Sequence, residues 1–85
     1  MKNGLIIDDH GNHFWYKNDL LHREDGPAVE YYYGDKEWYK EDKLHRLDGP
    51  AVENVNSKAW YYEDKLIKCS SQEEFIRLIN LKLFW

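Results

Sequence analysis

The sequence predicts a mainly β protein. The expected form is a single-layer antiparallel meander of about six to eight short strands, built from hairpin repeats of about 23 residues and capped by one C-terminal α-helix. Three observations carry this. Leu21-His22-Arg23-Glu24-Asp25-Gly26-Pro27-Ala28-Val29-Glu30 returns 23 residues later as Leu44-His45-Arg46-Leu47-Asp48-Gly49-Pro50-Ala51-Val52-Glu53, with a single difference. Trp15-Tyr16-Lys17-Asn18-Asp19 returns as Trp38-Tyr39-Lys40-Glu41-Asp42, and again as Trp60-Tyr61-Tyr62-Glu63-Asp64. After Lys68 the pattern stops, and apolar residues follow helical spacing.

The elements follow in order. Leu5-Ile6-Ile7, between Gly4 and Asp8-Asp9, is a short apolar strand. Sliding by one repeat lays it over Ala28-Val29-Glu30 and lays Gly11 over Gly34, so residues 1–10 form the degenerate first strand of the array. Residues 11–68 carry the hairpin repeats. His13 to Lys17 is aromatic-rich and favours strand. Asn18-Asp19 tolerates the positive φ of a two-residue hairpin turn, and Leu20 to His22 returns. By alignment, Glu41-Asp42 and Glu63-Asp64 make the equivalent turns. Asp25-Gly26-Pro27 and Asp48-Gly49-Pro50 are firm breaks. Gly there is expected to supply φ values that other residues avoid, and Pro fixes its own φ. Ala28 to Tyr33 forms the next strand, ended by Gly34-Asp35. The second unit runs through Val55 and ends at Asn56-Ser57, where Asn56 is expected to take the left-handed geometry of Gly34. Residues 70–85 form the capping helix. Ser70 with Glu73, or Ser71 with Glu74, makes a capping box. Phe75, Ile76, Leu78, Ile79, Leu83 and Phe84 form its apolar stripe, with Arg77 and Lys82 toward its C-terminal half.

Composition narrows the function classes. A chain of 85 residues makes one domain. A net charge of −4 argues against direct nucleic-acid binding, which needs a basic stripe, and suits a basic partner protein. Cys69 is the one cysteine and has no internal disulfide partner, which places the chain in the cytosol. No segment has the length and character of a membrane span or a signal peptide.

A unit that runs Trp-Tyr, tight turn, Leu-His-Arg, Asp-Gly-Pro-Ala and closing Gly resembles the variant MORN-like β-hairpin repeats of small phage and bacterial proteins. Trp38-Tyr39, Lys43 to Arg46 and Asp48 to Ala51 match that pattern, as do Trp15-Tyr16 and His22 to Ala28. The resemblance covers Gly11 to Lys68. It departs where Asp19, Asp42 and Asp64 replace the turn glycine, and where the third unit lacks the His-Arg and Asp-Gly-Pro elements. It implies a curved hairpin sheet used for binding, with antitoxin or inhibitor roles in some small members, and no shared catalytic residues.

The chemistry-bearing residues of the phrase are His22, Arg23, Asp25, Gly26 and Pro27, with His45, Arg46, Asp48, Gly49 and Pro50. A metal site needs three or four converging ligands, and acid–base catalysis needs a nucleophile or an oxyanion device beside the His-Asp pair. Neither accompanies them, so the ten residues are assigned as structural joints between units. No catalytic residue, metal ligand or cofactor is assigned. Partner contact is assigned to Tyr16, Tyr39 and Tyr61, one aromatic column opposite that of Trp15, Trp38 and Trp60, and to the tips Asp19, Glu41, Asp42, Glu63 and Asp64. The Trp column is expected inside and the Tyr column outside. Together these predict a non-enzymatic protein-binding module: a phage- or mobile-element-type inhibitor, in the host cytosol if phage-encoded, that docks on a nucleic-acid-handling enzyme. The alternatives are a homo-oligomeric (for example homodimeric) repeat module and, behind it, a metal-dependent hydrolase using His22 and His45.

Overall fold

Six residues set the three hairpins. Asn18-Asp19, Glu41-Asp42 and Glu63-Asp64 all have positive φ, between 46° and 70°. Two successive left-handed residues give the type I′ turn, whose twist matches the strands it joins. Asn and Asp take this conformation readily. Glu41 and Glu63 hold it because the tips are bonded from outside, as described below.

The computed structural model describes residues 1–81. They form β1 (Gly4–Ile7), β2 (His13–Lys17), β3 (Leu20–Leu21), β4 (Val29–Glu30), β5 (Lys36–Glu37), β6 (Tyr39–Lys40), β7 (Lys43–Leu44), β8 (Val52–Asn54), β9 (Ser57–Tyr62), β10 (Lys65–Ile67) and α1 (Gln72–Leu81). All pairings are antiparallel, in the order β1-β2-β4-β5-β8-β9-β10, with β3 on β2 and β6 paired to β7. Register repeats with sequence. Ile6 faces Phe14 and Ile7 faces His13, just as Val29 faces Glu37 and Glu30 faces Lys36. The first strand is therefore a true member of the array.

The long strand of each unit changes partner at its tryptophan. His13-Phe14 pairs with β1 on one side and β4 on the other, whereas Tyr16-Lys17 pairs with β3. Trp15 stands at the crossing: its N–H donates to the Ala28 carbonyl at 2.7 Å, and its carbonyl accepts from His22 N–H at 3.0 Å. Trp38 does the same with Ala51 and His45, at 2.8 and 3.1 Å. There the change of partner interrupts the strand and separates β5 from β6, which adds one to the ten short strands of the described residues, against the six to eight expected.

The Asp-Gly-Pro loop is held by the arginine before it. Arg23 donates from Nε to Asp25 Oδ1 at 3.0 Å and from Nη1 to the Pro27 carbonyl and Glu30 Oε1, both at 3.1 Å. Its guanidinium lies 4.4 Å from the Trp15 ring centroid. Arg46 repeats every bond with Asp48, Pro50 and Glu53, 3.8 Å from Trp38. This corrects the role expected for Gly26 and Gly49. Neither has positive φ. A Cβ at Gly26 would meet Arg23 Cζ at 2.9 Å, and one at Gly49 would meet Arg46 Cζ at 2.7 Å. Glycine is needed there for close approach, not for backbone freedom.

Two turns also differ from expectation. The strand placed at Ala28 to Tyr33 is only Val29–Glu30, because Tyr31 turns back: its N–H donates to the Asp35 carbonyl at 2.9 Å, and Gly34, at φ 105°, donates to the Tyr31 carbonyl. Gly11 makes the same turn with Asp8. Asn56 does not take left-handed geometry. The third turn is one residue shorter and Asn54 faces Ser57 directly, so the position that requires it is gone.

α1 is shorter than residues 70–85, and Lys82 to Trp85, including Leu83 and Phe84, lie outside the described residues. Its cap is the Ser71–Glu74 alternative. Ser71 Oγ accepts from Glu74 N–H at 3.1 Å, and Glu74 Oε1 accepts from Ser70 N–H at 2.7 Å. Gln72 docks the helix: its amide oxygen accepts from Trp60 Nε1 and its amide nitrogen donates to the Leu47 carbonyl, both at 2.8 Å. Among the described residues the buried apolar side chains are few: Ala28, Val29, Ala51, Ile67 and Phe75. The molecule is only 17 Å thick, and Trp15, Trp38, Trp60 and Tyr16, Tyr39, Tyr61 are all half-buried, so neither column is the inside one. Among the described residues no helix is long and apolar enough to cross a membrane.

Gly49→Ala should cost about 1–3 kcal/mol by overpacking against Arg46. In an Arg46→Ala background the same change should cost less than about 1 kcal/mol, since its obstacle is gone. Urea unfolding of the four proteins of this cycle measures the difference.

Candidate functional site: the joints and the exposed turn edge

Each hairpin tip is bonded to the return strand of the unit before it. Asp42 N–H donates to the Leu21 carbonyl at 2.8 Å, and Asp42 Oδ1 accepts from Leu21 N–H at 2.6 Å. Beside it, Glu41 N–H donates to His22 Nδ1 at 3.0 Å. The next joint is identical. Asp64 exchanges the same two bonds with Leu44, at 2.8 and 2.7 Å, and Glu63 N–H donates to His45 Nδ1 at 3.0 Å. A tip in left-handed geometry turns its two N–H groups outward; a main-chain carbonyl and an imidazole nitrogen receive them, and the tip carboxylate accepts the return strand's own N–H.

A third joint lies at the N-terminus, where no His is present. Asp19 N–H donates to the Lys2 carbonyl at 2.9 Å, Asp19 Oδ1 accepts from Lys2 N–H, and Asn18 N–H donates to Asn3 Oδ1 at 2.8 Å. Asn3 thus does the work of His22. The signal for it was the Lys2-Asn3 pair ahead of Gly4, hidden because the intervening Arg-to-Pro loop is missing there. In the third unit Ile67 stands at the His position and is buried, since among the described residues no fourth hairpin needs an acceptor.

The accepting Nδ1 fixes the tautomer, so Nε2 carries the proton. His22 is 6% exposed and gives that proton to Glu24 Oε1 at 2.8 Å, which holds the Glu24 carboxyl below its usual range. Both His22 nitrogens are thereby committed. The one difference between the two phrases, Leu47 for Glu24, lies where Gln72 of α1 donates to the main-chain carbonyl. His45 consequently lacks a carboxylate on Nε2 and instead meets the Tyr62 ring edge-on at 4.9 Å. Burial lowers its pKa from the ordinary 6.5, with Glu63 opposing and Lys40 reinforcing.

These contacts change the reading of the acidic tips. The carboxylates of Asp19, Asp42 and Asp64 are solvent-facing, but each has one oxygen engaged in a joint, so the tips are not a free acidic rim. Among the described residues no group of three or more His, Cys, Asp or Glu is placed to hold a metal ion. Cys69 is half-buried, and burial pushes its thiol pKa up, away from the thiolate a nucleophile needs.

The exposed aromatics lie at the opposite edge, on the turn after β4. Tyr32 is 68% exposed and Tyr33 53%. Tyr33 stacks on Tyr31 at 5.3 Å and meets Tyr32 edge-on at 5.2 Å. Glu37 Oε1 accepts from Tyr39 Oη at 3.2 Å and from Tyr31 Oη at 3.4 Å. Burial, then Glu37, pushes the Tyr39 phenol up to about 12, and the same causes raise Tyr31. Turns are laced to one another: Asn12 Oδ1 accepts from Tyr32 N–H at 2.8 Å, and Asp35 Oδ1 accepts from Val55 N–H at 3.2 Å. Tyr32, Tyr33, Asp35 and Glu37 were missing from the sequence-based assignment. Three consecutive tyrosines were their signal, since an alternating strand must leave at least one outside. Comparison with family models, with curated proteins and with solved structures finds no match.

Two predictions concern the joints. Asp42→Asn should be nearly neutral, because Asn keeps both the acceptor and the left-handed preference. Asp42→Ala loses both and should cost about 1–3 kcal/mol in denaturant unfolding. Acid should also open the His45 joint. Its folded pKa lies below 6.5, so the unfolded chain binds the extra proton, and the stability it contributes is present above 6.5 and lost as pH falls through the lowered value. The carboxyls of Glu24 and Asp25, lowered from 4.5 and 3.8, titrate below that window. Urea midpoints should therefore drop between about pH 7 and about pH 5, and drop less in His45→Asn, which keeps an acceptor that does not titrate.

Proposed function

We propose that this chain is a non-enzymatic protein-binding module that docks on a basic partner. Its most concrete form is a phage- or mobile-element-type inhibitor, antitoxin-like in role, that works in the host cytosol and covers the nucleic-acid-binding surface of a host enzyme. The observation that carries this reading is the exposed Tyr32–Tyr33 pair on a turn whose main chain is pinned by Asn12. Exposed aromatic side chains on a rigid support are the usual anchors of protein interfaces. The net charge of −4 suits a basic partner. The resemblance of the repeat phrase to variant MORN-like hairpin proteins points the same way. The half-buried Tyr16, Tyr39 and Tyr61 rings and the exposed Glu41 and Glu63 carboxylates would extend the contact beyond the turn edge.

One observation favours a homo-oligomer instead. β1 has a strand partner on one side only, and Leu5, Ile6 and Ile7 are exposed on it.

Affinity capture from a host lysate, with captured proteins identified and reconstituted in pure form, compares the wild type with Tyr32→Ser/Tyr33→Ser. The reading predicts a nucleic-acid-handling protein that is bound by the wild type and lost in the variant. Identical capture by both proteins sinks it. Light scattering that finds a stable dimer, abolished by Ile6→Lys, establishes the homo-oligomer in its place.

A further inference from the structure

Resting on the protein-binding reading, we propose that the turn edge receives an arginine of the partner, its guanidinium seated in the Tyr32–Tyr33 corner and paired with the carboxylates of Asp35 and Glu37. The chain builds this arrangement twice for itself. Arg23 lies over Trp15 between Asp25 and Glu30, and Arg46 lies over Trp38 between Asp48 and Glu53. Each is an aromatic face with two carboxylates around one guanidinium.

At the turn edge the rings and the two carboxylates are present without the cation. Lys2, Arg23 and Arg46 stand over the rings of Tyr16, Trp15 and Trp38. None stands over Tyr31, Tyr32 or Tyr33. Lys36, between Asp35 and Glu37 in sequence, faces Glu30 and Glu53 across its neighbouring strands. Strand alternation places it on the face away from Glu37. Asp35 uses Oδ1 for Val55 N–H, and Glu37 uses Oε1 for two phenols. Among the described residues the second oxygen of each takes no hydrogen bond and can receive an incoming donor. The charges of Asp35 and Glu37 reach the rings, since after burial they are what raise the Tyr33 phenol.

Arginine fits better than lysine. Its planar guanidinium stacks on a ring while donating in the plane to carboxylates, and it is the more weakly hydrated of the two cations. The Tyr31–Tyr33 stack and the Asn12 tether hold the site in place before binding, which reduces the ordering cost.

The test is fluorescence anisotropy with a labelled octa-arginine peptide, at low ionic strength, on the full chain. Glu37→Gln keeps the acceptor for both phenols and removes only the charge. Tyr32→Ser/Tyr33→Ser removes the corner. Glu73→Gln removes an equal charge on the helix. The first two variants should each weaken binding about threefold to tenfold, Glu73→Gln should leave it unchanged, and octa-lysine should bind more weakly than octa-arginine. Circular dichroism of each variant checks that the sheet persists. No binding by the wild type, equal loss in Glu37→Gln and Glu73→Gln, or full binding by the tyrosine variant overturns the inference. If octa-arginine does not displace a partner captured through the tyrosines, the arginine chemistry is refuted and the protein-binding reading still stands.

Discussion

Everything in this molecule depends on how a left-handed hairpin tip is received. A type I′ turn presents N–H groups that its own hairpin does not use. Left bare, they would leave neighbouring units joined chiefly by the short pairings of β2 with β4 and β5 with β8. Here the tip aspartate exchanges two hydrogen bonds with the preceding return strand, and the preceding His, or Asn3 in the first unit, takes the third. Such bonds contribute about 0.5–1.5 kcal/mol each, and solvent screening at these exposed tips removes most of the bonus of a charged acceptor. Summed over the joints, this is a large share of the roughly 5–15 kcal/mol that stabilises a small domain. The apolar core is too thin to dominate: its buried side chains include two alanines, and the sheet is one layer deep.

The repeat phrase follows from that requirement. Histidine is the acceptor for the next tip. Arginine, stacked on tryptophan, braces the loop leading to the next strand, and glycine lets the guanidinium close on the main chain. Where a unit has a different neighbour, the residue changes accordingly. Leu47 stands in place of Glu24 where its carbonyl meets Gln72 of the helix, and Ile67 replaces His where, among the described residues, no further tip arrives. In the proposed protein-binding role, the groups that would anchor a partner are Tyr32, Tyr33, Asp35 and Glu37, at the other edge.

The period and the turn-forming pairs were enough to read the meander, its hairpin turns and the helical cap from the sequence, because each unit repeats its local chemistry. What stayed hidden was contact between distant residues. Gly26 and Gly49 read as flexible turn residues, since nothing in sequence shows an arginine folding back onto them. Asp19, Asp42 and Asp64 read as an acidic rim, since nothing local shows that each faces a main-chain N–H about 20 residues back. Asn3 was invisible as a surrogate histidine because a missing loop breaks its alignment. The Trp and Tyr columns were read as inside and outside, but a sheet this thin leaves both half-buried.

The central claim is that the tips are locked by their neighbours rather than by their own turns. Amide hydrogen exchange at Leu21, Glu41, Leu44 and Glu63 tests it most directly, since those N–H groups donate to Asp42, His22, Asp64 and His45. The account predicts protection of roughly a hundredfold or more, with Leu21 and Glu41 losing it together when the joint between them is broken. Exchange of Glu41 and Glu63 at the rate of an unstructured chain would contradict it.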